Sequence, residues 1–218
     1  MVETSTARGV RQIFFVRHGQ SAHNIDRAAL DTPDNPLTDA GREQARVANR
    51  VLHRITQDWG SFDLVVTSPM TRAIETCLIA TQGLGSPLPV VLPLVTERGT
   101  SACDRGSPQE VLENRFPELN FAPLRDRVDE EWWGATDPSR GGGDAWWAEE
   151  EIRHSAGGSS PNYGRHYTLI AQRAVKLTEY LSGRPEQASC YTMTLIRNMQ
   201  LQMRKPMGHL STWRRPCG

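Results

Sequence analysis

The segment FFVRHGQSAHN, residues 14–24, holds the side chains of this chain that are best suited to chemistry. Arg17, His18 and Gly19 follow the apolar run QIFFV, which predicts a buried strand. A guanidinium offers paired donors to phosphate oxygens, and its permanent charge disfavours a second positive charge on a neighbouring imidazole. His18 is therefore a candidate nucleophile, because only a neutral imidazole can attack phosphorus. Taken alone, an Arg-His pair is more often a solvated loop, and His23 is interpreted as a loop histidine.

A second arginine occupies a comparable position further along the chain. The run FDLVVT, residues 62–67, predicts another strand, and Arg72 follows it in the first turn of a predicted helix. The free N–H groups and the dipole of a helix amino-terminus favour anions. Open parallel sheets bind ligands at the carboxyl ends of their strands. Arg17 and Arg72 are therefore expected to converge on one anion.

Two helices are predicted beside these strands, and the first of them is amphipathic. Apolar residues recur at helical spacing within residues 40–59, and Thr38 is the expected N-cap. Ser68 and Pro69 are expected to cap and begin the second helix, which ends near Gly83. Each helix follows a strand, as in sheets with parallel strands.

The remaining elements complete an α/β pattern. Further strands are predicted at residues 87–95 and 190–196, and a further helix at residues 167–181. The alternation of strands and helices indicates a three-layer α/β fold, with a mostly parallel central sheet and helices on both faces. Residues 97–163 lack steady periodicity and predict an irregular cap over the active end of the sheet. One domain is expected to span residues 1–218.

The composition excludes several classes of partner. Lysine plus arginine (25) balance aspartate plus glutamate (25), which gives no reason to expect nucleic acid or an anionic membrane as a partner. No apolar run reaches the length of a signal peptide or a spanning helix, so a cytoplasmic protein is expected. The oligomeric state is left open. The four cysteines are Cys77, Cys103, Cys190 and Cys217. None of them are spaced as in a zinc site or a redox motif, and we expect reduced thiols rather than a disulfide.

Three motifs together carry a resemblance to a known family. FFVRHGQSAHN, NPLTDAGREQA and VVTSPMTRAIET follow one another between residues 12 and 81. In this order they resemble the first half of the histidine phosphatase superfamily, whose fold is phosphoglycerate mutase-like. Residues 96–121 are similar, more loosely, to plant and fungal phosphoglycerate mutase-like proteins.

The resemblance implies a role for five residues. His18 would accept the phosphoryl group as a phosphohistidine, Arg17 and Arg72 would hold the phosphoryl oxygens, and Asn24 would orient the group. Glu97 would protonate the leaving oxygen, although taken alone it is a surface carboxylate. The implied reaction is hydrolysis of a phosphomonoester, in a small molecule or a phosphoprotein, with no metal and no cofactor. Mutase-type phosphoryl transfer is an alternative.

The resemblance breaks near the carboxyl end of the sequence. Family members carry a second histidine after a late strand, whereas Arg197, Asn198 and Met199 follow the predicted strand here. Three explanations stay open: a changed reading frame or splice product after about Gln187, substitution by Asn198 or Arg197, or a fold-back of His209. Losing one donor to the phosphoryl group would cost on the order of 10²–10³-fold in rate. A weak or inactive relative that binds a phosphorylated ligand or partner is therefore an alternative function.

Overall fold

A parallel β-sheet forms the centre of the computed structural model, which describes residues 12–96, 102–125, 174–184 and 188–193. Its strands in chain order are β1 (Gln12–Arg17), β2 (Leu64–Thr67), β3 (Val90–Val91) and β4 (Ala188–Met193). In space they follow the order β1-β4-β2-β3, and each neighbouring pair is parallel. β4 therefore lies between β1, which ends at Arg17, and β2, which precedes Arg72.

The described helices join or flank these strands. They are α1 (Asp39–Trp59), α2 (Thr71–Thr81), α3 (Gln109–Arg115), α4 (Ala122–Arg125) and a segment that is helical over residues 174–182. Short 3₁₀ turns are formed by Ala22–Asn24, Ala28–Asp31, Pro93–Val95 and Ala102–Asp104.

Alternate residues of the strands enter different cores, because successive side chains of a strand point to opposite faces. Val65 packs with Leu52 of α1 and Cys77 of α2. Its neighbour Val66 packs with Leu177 of the helical segment 174–182. Helices therefore cover both faces of the sheet, and the predicted three-layer α/β fold is confirmed.

α1 closely matches the helix that the sequence predicts at residues 40–59. The Thr38 side chain accepts a hydrogen bond from the Gly41 N–H at 3.1 Å, which confirms the predicted N-cap. The helix ends at Trp59, and the Gly60 that follows has a φ of 86°, in a region that favours glycine.

The prediction for the start of α2 was wrong by two residues. The helix begins at Thr71 after the N-cap Met70, so Pro69 is not its first residue. Ser68 accepts a hydrogen bond from the Met70 N–H at 3.3 Å instead of capping the helix. The Asp34 carboxylate accepts from the Thr71 N–H at 2.8 Å, and thus performs the capping from a loop 37 residues earlier.

The third strand is shorter than predicted. Residues 87–95 read as one strand in sequence, but only Val90–Val91 is paired, and Pro93–Val95 forms a 3₁₀ turn. Pro89 and Pro93 have no N–H to donate, so pairing cannot extend through them.

The outer strands also differ in their limits. β1 extends through Arg17, one residue beyond the predicted QIFFV strand. β4 begins at Ala188, two residues before the predicted strand, because it pairs with β1 from Gln12 onward. Residues 194–218 lie outside the described part of the chain.

Two helices lie where the sequence pattern indicated no regular element. α3 and α4 fall within the predicted cap at residues 97–163, and Leu112 and Phe116 pack with Ile74 of α2 and Val91 of β3. Such short helices contain too few turns for helical periodicity to be recognised in sequence. Most of the remaining predicted cap lies outside the described residues, so the cap stays a prediction.

Candidate active site

The carboxyl ends of β1 and β2 lie at one edge of the sheet. Arg17 ends β1 opposite Met193 of β4, and Thr67 ends β2 opposite Thr192 of β4. With one strand between them, the ends of β1 and β2 are roughly 10 Å apart, which is two strand spacings. The loop that begins at His18 and the turn that precedes α2 therefore leave the sheet side by side.

His18 is held in one orientation by its own backbone neighbour. The side chain is buried, with 5% of the residue exposed, and Nδ1 lies 2.6 Å from the carbonyl oxygen of Gly19. Because a carbonyl only accepts, Nδ1 must carry the hydrogen of the neutral ring. Nε2 then keeps its lone pair, which is the form that a nucleophilic imidazole needs.

Two glycines allow α1 to approach this loop. A Cβ atom on Gly19 would collide with the carbonyl of Gly41, and a Cβ atom on Gly41 would collide with the carbonyl of Gln20. The Thr38 N–H donates to the same Gln20 carbonyl at 3.0 Å. The glycines of the first two sequence motifs thus let the start of α1 pack directly on the backbone next to His18.

Thr76 connects the His18 loop to α2. The Gly19 N–H donates to Thr76 Oγ1 at 3.0 Å, and that hydroxyl donates to the Arg72 carbonyl at 2.8 Å. Thr76 is buried and lies one turn after Arg72. Sequence reasoning missed this residue, although its position four residues after Arg72 placed it on the same helix face.

Arg72 is fully buried, and its guanidinium binds two residues that follow β3 in the chain. Its guanidinium donates to the Cys103 carbonyl at 2.9 Å and forms an ion pair with Asp104, with 3.2 Å between nitrogen and oxygen. This pairing was not predicted from sequence. A phosphate that reaches Arg72 would have to share its donors with the Asp104 carboxylate. Arg17, in contrast, is exposed at the end of β1.

Asn24 lies in a 3₁₀ turn beside the nucleophile candidate. Its Oδ1 accepts from the Ser21 N–H at 2.9 Å, and its Nδ2 lies 2.9 Å from Nε2 of His23. The ring centroids of His23 and His18 are 5.8 Å apart. The imidazole of His23 therefore contacts both Asn24 and His18. Sequence reasoning had interpreted His23 as a loop histidine.

The structure brings four of the five candidate residues to one end of the sheet: Arg17 and His18 at the end of β1, Asn24 in the next turn, and Arg72 at the start of α2. Glu97 lies outside the described residues. The same holds for Arg197, Asn198 and His209, the residues considered in place of the second family histidine.

The described residues also bear on metals, membranes and thiols. Within these ranges, no three His, Cys, Asp or Glu side chains are grouped to hold a metal ion. None of the described helices has the length and apolar character needed to cross a membrane. Cys77 and Cys103 are buried thiols.

Comparison with known protein families decides the ancestry of this site. The family model described as histidine phosphatase superfamily (branch 1) matches residues 13–135, more than half of the 218 residues. The chain belongs to the histidine phosphatase superfamily. The match begins in β1 and includes the segments that carry His18, Asn24 and Arg72.

Individual relatives match part of this chain. A Schizosaccharomyces pombe protein named as a probable phosphatase is 36% identical over 115 residues, which are 51% of this chain and 52% of the relative. A 2,3-bisphosphoglycerate-dependent phosphoglycerate mutase of Methylobacterium radiotolerans is 34% identical over 96 residues, or 44% and 42% of the two chains. Among solved structures, the ecdysone phosphate phosphatase of Bombyx mori aligns with 84% of this chain and 72% of its own, at 15% identity and a TM-score of 0.49. The chain spans about half the length of the curated relatives it matches.

Proposed function

We propose that this chain hydrolyses a phosphomonoester through a phosphohistidine on Nε2 of His18. The observation that carries the proposal is the 2.6 Å contact between His18 Nδ1 and the Gly19 carbonyl. This contact selects the tautomer whose lone pair is on Nε2. Family membership supports a phosphatase or mutase type of reaction at this position.

The first step transfers the phosphoryl group to the enzyme. Nε2 of His18 forms a bond to phosphorus while the bond from phosphorus to the ester oxygen breaks. Arg17 and Arg72 compensate the charge on the phosphoryl oxygens, and Asn24 donates one further hydrogen bond. The leaving oxygen takes a proton from an acid, for which Glu97 is our candidate.

The second step restores the enzyme. A water molecule attacks phosphorus, the bond to Nε2 of His18 breaks, and the water gives one proton to the group that acted as acid. The products are inorganic phosphate and the free imidazole. The proposal uses side chains alone and no metal or organic cofactor. Its substrate class is a small phosphorylated molecule or a phosphoprotein, and the buried thiols Cys77 and Cys103 suit the reducing cytoplasm, where we place it.

A second candidate function is binding of a phosphorylated ligand without turnover. The ion pair between Arg72 and Asp104 favours it, because this carboxylate competes with a phosphate for the same guanidinium. Mutase-type transfer is a third candidate, which the phosphoglycerate mutases among the relatives support. It additionally needs a pocket that retains the substrate between two transfers.

Phosphate release from p-nitrophenyl phosphate tests the proposal. His18→Asn is the sharpest variant, because its amide can still donate to the Gly19 carbonyl while the nucleophilic nitrogen is gone. We expect kcat to fall by more than about 10³-fold, as for loss of a catalytic nucleophile. His53→Asn, in the middle of α1, is the matched control and should keep wild-type turnover.

Three results would argue against hydrolysis at His18. Equal activity of the wild type and His18→Asn would exclude this nucleophile. A folded wild type that binds vanadate but releases no phosphate would favour the binding function. Transfer of the phosphoryl group to an added phosphoglycerate faster than to water would favour the mutase.

A further inference from the structure

His23 lies between the nucleophile candidate and Asn24, and it contacts both. Its ring is tilted by 50° against the ring of His18, with centroids 5.8 Å apart. Its Nδ1 lies 2.6 Å from Ser21 Oγ, and its Nε2 lies 2.9 Å from Nδ2 of Asn24. We infer that His23 is a positioning residue, which orients the Asn24 amide toward the phosphoryl group on His18. The inference rests on the proposed function and deepens it.

The orientation of the Asn24 amide follows from its two contacts. The Ser21 N–H donates to Oδ1 of Asn24 at 2.9 Å, which identifies the oxygen side of the amide. The atom that faces His23 is therefore Nδ2, which has only donors. Nε2 of His23 must accept, so Nδ1 carries the ring hydrogen and donates to Ser21 Oγ.

A planar amide that is held at two points has a fixed direction for its remaining hydrogen. Nδ2 of Asn24 carries two hydrogens, and His23 accepts one of them. The direction of the other is then set before a ligand arrives, and preorganised donors of this kind stabilise a transferring anionic group most effectively. Asn24 is exposed, so with the contact to Ser21 alone its amide would keep more rotational freedom.

Replacements of His23 can separate its hydrogen bonds from its shape. His23→Phe keeps a ring against His18 and removes both nitrogens. His23→Gln places an amide oxygen near the former Nε2, where it can accept from Asn24. His23→Asn places a donor near the former Nδ1, where it can reach Ser21, but leaves no acceptor for Asn24.

The expected result is a specific pattern of loss and rescue. His23→Phe and His23→Asn should each lower kcat/KM for p-nitrophenyl phosphate by about tenfold, the value of one well-oriented hydrogen bond. The affinity for vanadate, an analogue of the transferring group, should fall in parallel. His23→Gln should recover most of the loss in both measurements.

A double-mutant cycle with Asn24→Ala tests whether His23 acts through the amide. If it does, His23→Phe has no further effect on kcat/KM or on vanadate affinity once Asn24 is alanine. A merely structural role gives losses that add, together with a lower thermal midpoint in every His23 variant. Thermal unfolding of each variant is therefore measured beside the kinetics.

Distinct outcomes separate failure of the inference from failure of the proposed function. If the wild type is active, three results overturn the inference but not the proposed function. They are an unchanged kcat/KM in His23→Phe, losses that add in the double-mutant cycle, and rescue by His23→Asn instead of His23→Gln. A folded wild type that neither releases phosphate nor binds vanadate overturns the proposed function, and the inference with it.

Discussion

Thr76 makes two hydrogen bonds that connect the loop of the candidate nucleophile to α2. Its hydroxyl accepts from the Gly19 N–H and donates to the Arg72 carbonyl, so it links the His18 loop to the first turn of α2. Both Gly19 and Thr76 are buried, where an unpaired N–H is costly. The Thr76 side chain therefore contributes to the placement of His18 relative to Arg72.

Thr76→Val tests this dependence with almost no change in side-chain volume. The variant leaves the buried Gly19 N–H without its acceptor, at a cost of about 1–3 kcal/mol. We expect lower thermal stability and lower kcat/KM with p-nitrophenyl phosphate, because the His18 loop can shift. Thr76→Ser, which keeps the hydroxyl, is the matched control. A valine variant as active as the serine variant would show that this bond does not position the loop.

The sequence predicted which residues have suitable chemistry better than it predicted their partners. His18 and Arg72 could be proposed as candidates because each lies within a few residues of the end of a strand. The partners of Arg72 could not, because Asp104 lies 32 residues away and meets it only through tertiary packing. His23 was interpreted as a loop histidine for the same reason, since its contact with His18 depends on the curvature of the turn.

Interactions between elements fix the start of α2, where Arg72 lies. Asp34, in the loop before α1, accepts from the Thr71 N–H, from Thr71 Oγ1 at 2.7 Å and from Ser107 Oγ at 2.6 Å. Its φ of 47° is in the left-handed region, which aspartate tolerates better than most residues. One buried carboxylate therefore joins that loop, α2 and the segment before α3.

Glu75 makes a second connection between elements. Its carboxylate accepts from Arg42 of α1 at 2.9 Å, from Arg115 of α3 at 3.1 Å and from the Leu37 N–H at 2.8 Å. The side chain is 12% exposed, in contrast to the 57% exposed Glu43, which pairs with Arg46 at the surface of α1. A shielded carboxylate with three donors is worth more than an exposed ion pair.

Glu75→Gln and Glu43→Gln together test whether the Glu75 carboxylate stabilises the contacts between α1, α2 and α3. Glu75→Gln should lower the free energy of unfolding by about 1–3 kcal/mol, because the charge that faces two arginines is lost. Glu43→Gln should change it by no more than about 0.5 kcal/mol. Denaturant unfolding at low and moderate salt measures both effects, and equal effects would contradict the assigned role of Glu75.

How well each element could be predicted depends on its length and on the range of the contacts that limit it. α1 is 21 residues long, so its apolar periodicity and the local cap by Thr38 were both evident. The start of α2 was misplaced because its capping carboxylate belongs to Asp34, which is remote in sequence. β3 was predicted too long because the apolar residues around it indicated a strand, whereas the prolines on either side prevent further pairing.

At the scale of the whole molecule, the order of the strands explains where chemistry can occur. β4 lies between β1 and β2, so its last residue, Met193, lies at the same edge of the sheet, between the carboxyl ends of β1 and β2. This edge is where the family pattern expects a second histidine. Residues 194–218, among them Asn198, are outside the described part of the chain, and the role of Asn198 stays a prediction.

The most direct test of the central claim is to trap the phosphoenzyme and locate its phosphoryl group. Trypsin should cleave after Arg17 and Arg27 and release a peptide of residues 18–27, which contains both His18 and His23. Fragmentation in the mass spectrometer distinguishes the two, after rapid quenching in base, because phosphohistidine is labile in acid. We predict a phosphoryl group on His18 that is absent from His18→Asn. A phosphoryl group on His23, or one that persists in His18→Asn, would contradict the assignment of His18 as the nucleophile.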